Sequence, residues 1–159
     1  MSFLRHNFQF QITRASLVAL VGLGVSWISP AHGRDVVRDD LRPAPSSPLT
    51  RQDALAIGAL WKQSNPEKRD YCAVAPTGSM APILDSRSVL LIERASADDL
   101  RKNDLSIYLA SAVQSICHRV IEVRPYAVLF DGDNNRRSDG WIPAGRVRWR
   151  VAAIIFTRR

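Results

Sequence analysis

The chain has 159 residues, 46% of them hydrophobic and 23% charged, which suffices for one sizeable core and leaves too little to divide between two full domains. Its net charge of +7 would suit a polyanion. The arginines are spread along the sequence, however, with no basic stripe, recognition helix or stacking aromatics, so no nucleic-acid partner is expected. Two distant cysteines, Cys72 and Cys117, and three scattered histidines, His6, His32 and His118, lack the spacing of a zinc site, and there is no glycine-rich phosphate loop; neither metal nor cofactor is expected.

In chain order, Arg5, His6 and Arg14 precede the apolar run ASLVALVGLGVSWIS, Ala15 to Ser29, and the small residues Ala31 and Gly33 follow. Positive flank, short apolar run and small residues are the order of a secretory signal. The run is shorter than the roughly 20 residues of a comfortable spanning helix. Residues 1–33 therefore read as a signal peptide or a membrane anchor, with a buried soluble helix as the third possibility, and the domain is expected outside the cytoplasm. The basic charge would also favour an anionic membrane surface. The stretch RDVVRDDLRPAPSSP that follows is charged and Pro-rich, which makes 34–49 a linker.

The domain proper is expected over 50–159. Thr50 with Asp53 three residues on resembles a capping box, and Ala54, Ile57 and Trp61 recur at helical spacing with Gly58 beside them, so one amphipathic packing helix is predicted here. Past SNPEKRD the pattern becomes short strand-like runs: YCAVA, SVLLIE, DLSIYLA, SICHRVIEV, YAVLFDG and VRWRVAAIIF. The domain is mostly β, a folded-over antiparallel sheet, with a hairpin from Ile116 to Phe130 across RPY. Cys72 and Cys117 fall inside apolar runs, either as buried thiols or, in an exported domain, as a pair; sequence does not supply the distance that would decide.

The polar turn PTGSMAP, Pro76 to Pro82, holds Ser79 just after a strand. A serine hydroxyl is a poor nucleophile until a base takes its proton and a third group orients that base. The domain has a single histidine, His118, suited to accept a proton near neutral pH. Carboxylates concentrate in FDGDNNRRSDGW as Asp131, Asp133 and Asp139. Any one of these residues alone would pass as a turn-former or a structural histidine; the set points to a nucleophilic hydrolase.

TGSMAPIL, DLSIYL, CHRVIEV, GDNNRRSDGWIP and GRVRWRVAAIIF, spanning about Ala75 to Phe156, resemble in order and spacing the successive sequence boxes of type I signal peptidases. The resemblance implies a single signal-peptidase-like β domain and a serine endopeptidase, exported or anchored in the inner or plasma membrane with its catalytic domain extracytoplasmic. Its implied partners are polypeptide substrates bearing signal-like sequences, cut after small residues. His118 stands where the usual bacterial form has lysine, as in the endoplasmic-reticulum and archaeal form, and no lysine follows Lys102. The resemblance then implies Ser79 as nucleophile, His118 as general base, Asp139 as its orienting partner, Asp133 as a supporting carboxylate and the Thr77 hydroxyl as an oxyanion donor beside the Ser79 N–H. Met80 and Pro82 would fix the nucleophile loop, or simply pack. The sequence departs from the family where Ile83 replaces threonine, where KND replaces Gly-Asp, and in LDSRS, which lacks a glycine near Arg87. The short connections imply a minimal single-domain form. Two other readings stay open: a non-catalytic exported domain that binds peptides or a partner on the same fold, and a repressor-type self-cleaving protease, which the apolar N-terminus and the histidine disfavour.

Overall fold

Thr50 opens the first regular element. In the computed structural model, which describes residues 44–159, its Oγ1 accepts the Asp53 N–H at 3.0 Å while the Asp53 carboxylate accepts the Thr50 N–H at 2.8 Å. This reciprocal cap satisfies donors that the first turn of a helix leaves open, and helix α1 (Arg51–Ser64) follows. The signal or anchor segment 1–33, and the expected linker up to residue 43, lie outside the described residues. Among the described residues no helix is long and apolar enough to cross a membrane.

The buried line of α1 is Ala54 and Gly58, extended by Trp61, whose Nε1 donates to the Ile92 carbonyl at 3.1 Å. Ile57, expected on this face, is exposed. The reason is close approach: a Cβ on Gly58 would lie 2.6 Å from the Tyr71 ring, so the helix rests on β1 along its glycine and turns Ile57 outward.

Seven strands follow: β1 (Arg69–Ala73), β2 (Val89–Arg94), β3 (Leu105–Leu109), β4 (Ser115–Arg124), β5 (Ala127–Asp131), β6 (Gly140–Pro143) and β7 (Val147–Ile155). They form one antiparallel sheet in the order β1-β2-β7-β3-β4-β5-β6. The β4–β5 hairpin turns through Pro125 and Tyr126, as the sequence suggested. Strand β6 was not among the expected runs. It is four residues long, begins at a glycine, ends at a proline and pairs only with β5, and an edge is where a strand tolerates proline.

Alternation along the strands divides the core between the two faces of the sheet. The opposed pair Ile107 and Cys117 joins Cys72, Met80, Leu84, Leu90 and Ile92 in one cluster. In the next pair, Tyr108 and Ile116 turn to the other, with Val120, Val128, Phe130 and Val147. Both cysteines are free thiols inside the first cluster, and burial pushes the Cys72 thiol up to about 12, so they act as small apolar side chains. The last residues of the expected linker already pack on this body: Ala44 is buried, the Ser47 hydroxyl donates to the Phe156 carbonyl at 2.5 Å, and the Arg158 N–H donates to the Leu49 carbonyl at 2.8 Å.

Candidate active site

His118 sits on β4 opposite Ser106 of β3, whose hydroxyl is turned away to the Trp149 carbonyl at 2.7 Å. The residue is 5% exposed, and the two nitrogens of its imidazole meet different partners. Nδ1 lies 2.5 Å from an Asp139 carboxylate oxygen, and Nε2 lies 3.0 Å from the Ser79 hydroxyl. A carboxylate only accepts, so Nδ1 carries the proton and Nε2 is left to accept from Ser79. Thr77 Oγ1 is 3.2 Å from Ser79 Oγ and accepts the Ser79 N–H at 3.4 Å. With the Ser79 proton directed to His118, Thr77 is the donor to the Ser79 oxygen.

Three segments meet to build this line. Ser79 lies in the connection from β1 to β2, His118 in the middle of the sheet, and Asp139 at the end of the turn that joins β5 to β6. The nucleophile loop is held from across the fold by that same turn. The Asn134 N–H donates to the Ser79 carbonyl at 2.8 Å, and Asn134 Nδ2 donates to the Gly78 carbonyl at 3.1 Å. Gly132 permits the approach, because a Cβ there would lie 2.9 Å from the Ser79 carbonyl oxygen. Met80, 4% exposed, anchors the loop from below in the first core cluster, and the Asp133 N–H points at its sulfur at 3.5 Å. Pro82 is half-buried further along the loop and has no bond to Ser79 or His118.

Of the sequence-derived residues, Ser79, His118, Asp139 and Thr77 come together. Asp133 does not join them. Its carboxylate takes a two-pronged bond from Arg119 Nε and Nη2, each at 2.6 Å, and Arg119 Nη1 reaches the Asn103 carbonyl at 2.9 Å. Arg119 thereby ties β4 to the acidic turn and to the turn before β3, so Asp133 supports the site through the scaffold, not through the histidine. Asn103, in the turn before β3, has a φ of 78°, a left-handed conformation that asparagine tolerates better than most residues.

Two groups beside the site were not singled out as functional from sequence. Tyr108 is fully buried with its ring 4.7 Å from that of Phe130, near enough to Asp139 to feel its charge. Burial, and then the Asp139 charge, push its phenol far above the ordinary tyrosine range, so it stays a donor. Asn134 looked like any turn asparagine. Its neighbour Gly132 was the available signal, since a glycine directly before a polar turn can mark a close backbone contact. Against known proteins, the chain matches no family model and no curated protein.

Proposed function

We propose that this chain is a serine endopeptidase of the type I signal peptidase kind, in its histidine-containing form, acting on exported polypeptides that carry signal-like sequences. The observation that carries this reading is the line from Ser79 Oγ to His118 Nε2 and from His118 Nδ1 to the Asp139 carboxylate. The seven-stranded antiparallel sheet supports a signal-peptidase-like β domain. The N-terminal run Ala15 to Ser29 supports export or membrane attachment, with the catalytic domain outside the cytoplasm.

In this reading Ser79 attacks the scissile carbonyl while His118 Nε2 takes its proton, a contribution of about 10²- to 10⁴-fold. Asp139 holds the imidazole in the accepting tautomer and stabilises the imidazolium that forms. The Ser79 N–H swings from its long contact with Thr77 to the developing oxyanion, and the Thr77 hydroxyl supplies a second donor. His118 then gives its proton to the leaving amine. Water, deprotonated by the same histidine, releases the acyl group from Ser79.

The test is cleavage of signal-bearing precursors by the full chain in detergent or lipid, with product N-termini sequenced. Wild type is expected to cut, and Ser79→Ala and His118→Ala to lose at least about 10³-fold, with unchanged thermal unfolding in Ser79→Ala. Equal cleavage by all three proteins would remove the mechanism. Peptide binding that survives in Ser79→Ala, with no cleavage by wild type, would instead identify a non-catalytic binding domain. A histidine base gives a rate that rises through the neutral range, whereas one that climbs only above about pH 9 points to another base.

A further inference from the structure

The ladder between β5 and β6 stops at the pair Phe130 and Gly140. The next residue outward on each side is an aspartate, Asp131 after Phe130 and Asp139 before Gly140, so two carboxylates leave the ladder together. Asp139 is bonded to His118. Asp131 has a buried Oδ1 with no hydrogen-bond partner. Like charges set side by side in a sheet repel, and a buried oxygen without a donor costs the desolvation of that group. The fold therefore tolerates at Asp131 an arrangement that works against its own stability.

The surrounding charges do not relieve it. Arg119 faces Asp131 in the β4–β5 register, but its guanidinium is committed to Asp133 and the Asn103 carbonyl. Asp139 and Asp133 of the acidic turn add negative charge, and the buried phenol of Tyr108 on β3 stays neutral beside Asp139. The group that attracts Asp131 is His118. In keeping with this, the Asp131 carboxyl holds its proton more tightly than usual, through burial first and the Asp139 charge second, while His118 acts in the opposite sense.

We propose that Asp131 is a positioning residue of this site: a second carboxylate beside Asp139, whose negative charge stabilises the imidazolium that His118 becomes on taking the Ser79 proton. The effect on rate rests on the peptidase reading, whereas the effect on His118 itself does not. Ser79 Oγ loses its proton to Nε2, Nδ1 keeps its own toward Asp139, and the positive ring is then stabilised by the field of Asp131 as well as by its bonded Asp139.

The experiment follows the His118 ring by NMR in the full chain, assigned through His118→Ala, for wild type, Asp131→Asn and Asp131→Ala. The alanine variant separates loss of charge from any new bond an asparagine amide would make to Asp139. Asp98→Asn, on an exposed 3₁₀ turn, is the control and is expected to leave His118 unmoved. Both Asp131 variants are expected to lower the midpoint of the His118 titration by roughly half a pH unit or more. At neutral pH they are also expected to unfold no earlier than wild type, since removing an unpaired buried charge does not destabilise. With a cleavable precursor, kcat is expected to fall about threefold to tenfold at constant KM, the same displacement read as a rate. A His118 midpoint unchanged in both variants would overturn the proposal, as would a clear loss of stability, which would make Asp131 a structural residue. If wild type cleaves nothing, the peptidase reading fails while the titration still decides the role of Asp131.

Discussion

The seam under α1 and the turn between β5 and β6 are built by opposite rules. In the seam, unlike groups meet. Asp53 closes on Thr50, Lys62 lies 3.1 Å from Asp70, and Arg69 bonds Glu93 at 3.2 Å while lying 4.0 Å over the Trp61 ring. In the turn, two aspartates leave a ladder side by side, one oxygen is buried without a donor, and the nucleophile loop is held by an asparagine 55 positions away in sequence, Asn134 to Ser79. Local matching of partners stabilises the first region. The second retains contacts that a purely structural turn would shed, which is the expected mark of a site kept for function.

By that contrast, a change in the nucleophile loop that the turn holds should alter rate without altering stability, and a change in the seam should do the reverse. The largest such effect is expected from Thr77→Val, which keeps the shape of the side chain and deletes the hydroxyl 3.2 Å from Ser79 Oγ. Losing one oxyanion donor typically costs about 10²- to 10³-fold. Steady-state cleavage should show that loss in kcat, with a thermal midpoint within error of wild type. A variant that unfolds early at full kcat would reverse the contrast.

Gly58→Ala is the converse probe. Alanine is the better helix former by about 1 kcal/mol, yet its Cβ would meet both Cγ and Cδ2 of Tyr71 at 2.6 Å and Tyr71 Cβ at 3.0 Å. Those atoms are the root of the ring on β1, which cannot swing aside as the tip of a long side chain can. Overpacking of this kind costs about 1–3 kcal/mol, so after the helix gain a net loss of up to about 2 kcal/mol is expected in denaturant unfolding, with kcat and KM unchanged. Stabilisation by the substitution would show that α1 does not lie on β1 at the distance described.

The same contrast explains how much was legible before the fold was known. Alternating apolar runs placed six strands, and the Thr50–Asp53 spacing placed the helix start, because both signals act between residues close in sequence. Ile57 was misjudged because the stripe of α1 is set by a tertiary contact, Gly58 against Tyr71. Strand β6 escaped because an edge strand of four residues, GWIP, carries little pattern and is held by β5 alone. The family resemblance singled out Asp139, whereas residue chemistry pointed only to the Ser79 loop, to His118 as the one histidine of the domain, and to the acidic turn as a whole. Such chemistry could not separate Asp133 from Asp131 and Asp139, since only the fold shows that Arg119 takes the first, His118 the third, and nothing bonds the buried oxygen of the second. Tyr108 was only one residue of the run DLSIYLA, and its nearness to Asp139 is a property of the folded sheet.

The smallest expected effect tests the seam through pH. The Asp53 carboxyl is held below the ordinary carboxylate range by the Thr50 hydroxyl first and the Thr50 N–H second. A carboxyl whose folded value is depressed contributes stability above its unfolded value near 3.9, and loses that contribution as pH falls through the lower folded value. Thr50→Ala removes the cap oxygen that accepts the Asp53 N–H at 3.0 Å, and caps of this type are worth about 1 kcal/mol. The difference between Thr50→Ala and wild type should therefore be full at neutral pH and narrow below about pH 4, as Asp53 gains its proton and the Thr50 hydroxyl, which only wild type has, loses the charged acceptor 2.6 Å away. Urea midpoints measured in parallel across that range would show it. A gap that stays constant into acid would mean that Thr50 caps α1 alone, and that the charge on Asp53 adds nothing to the seam.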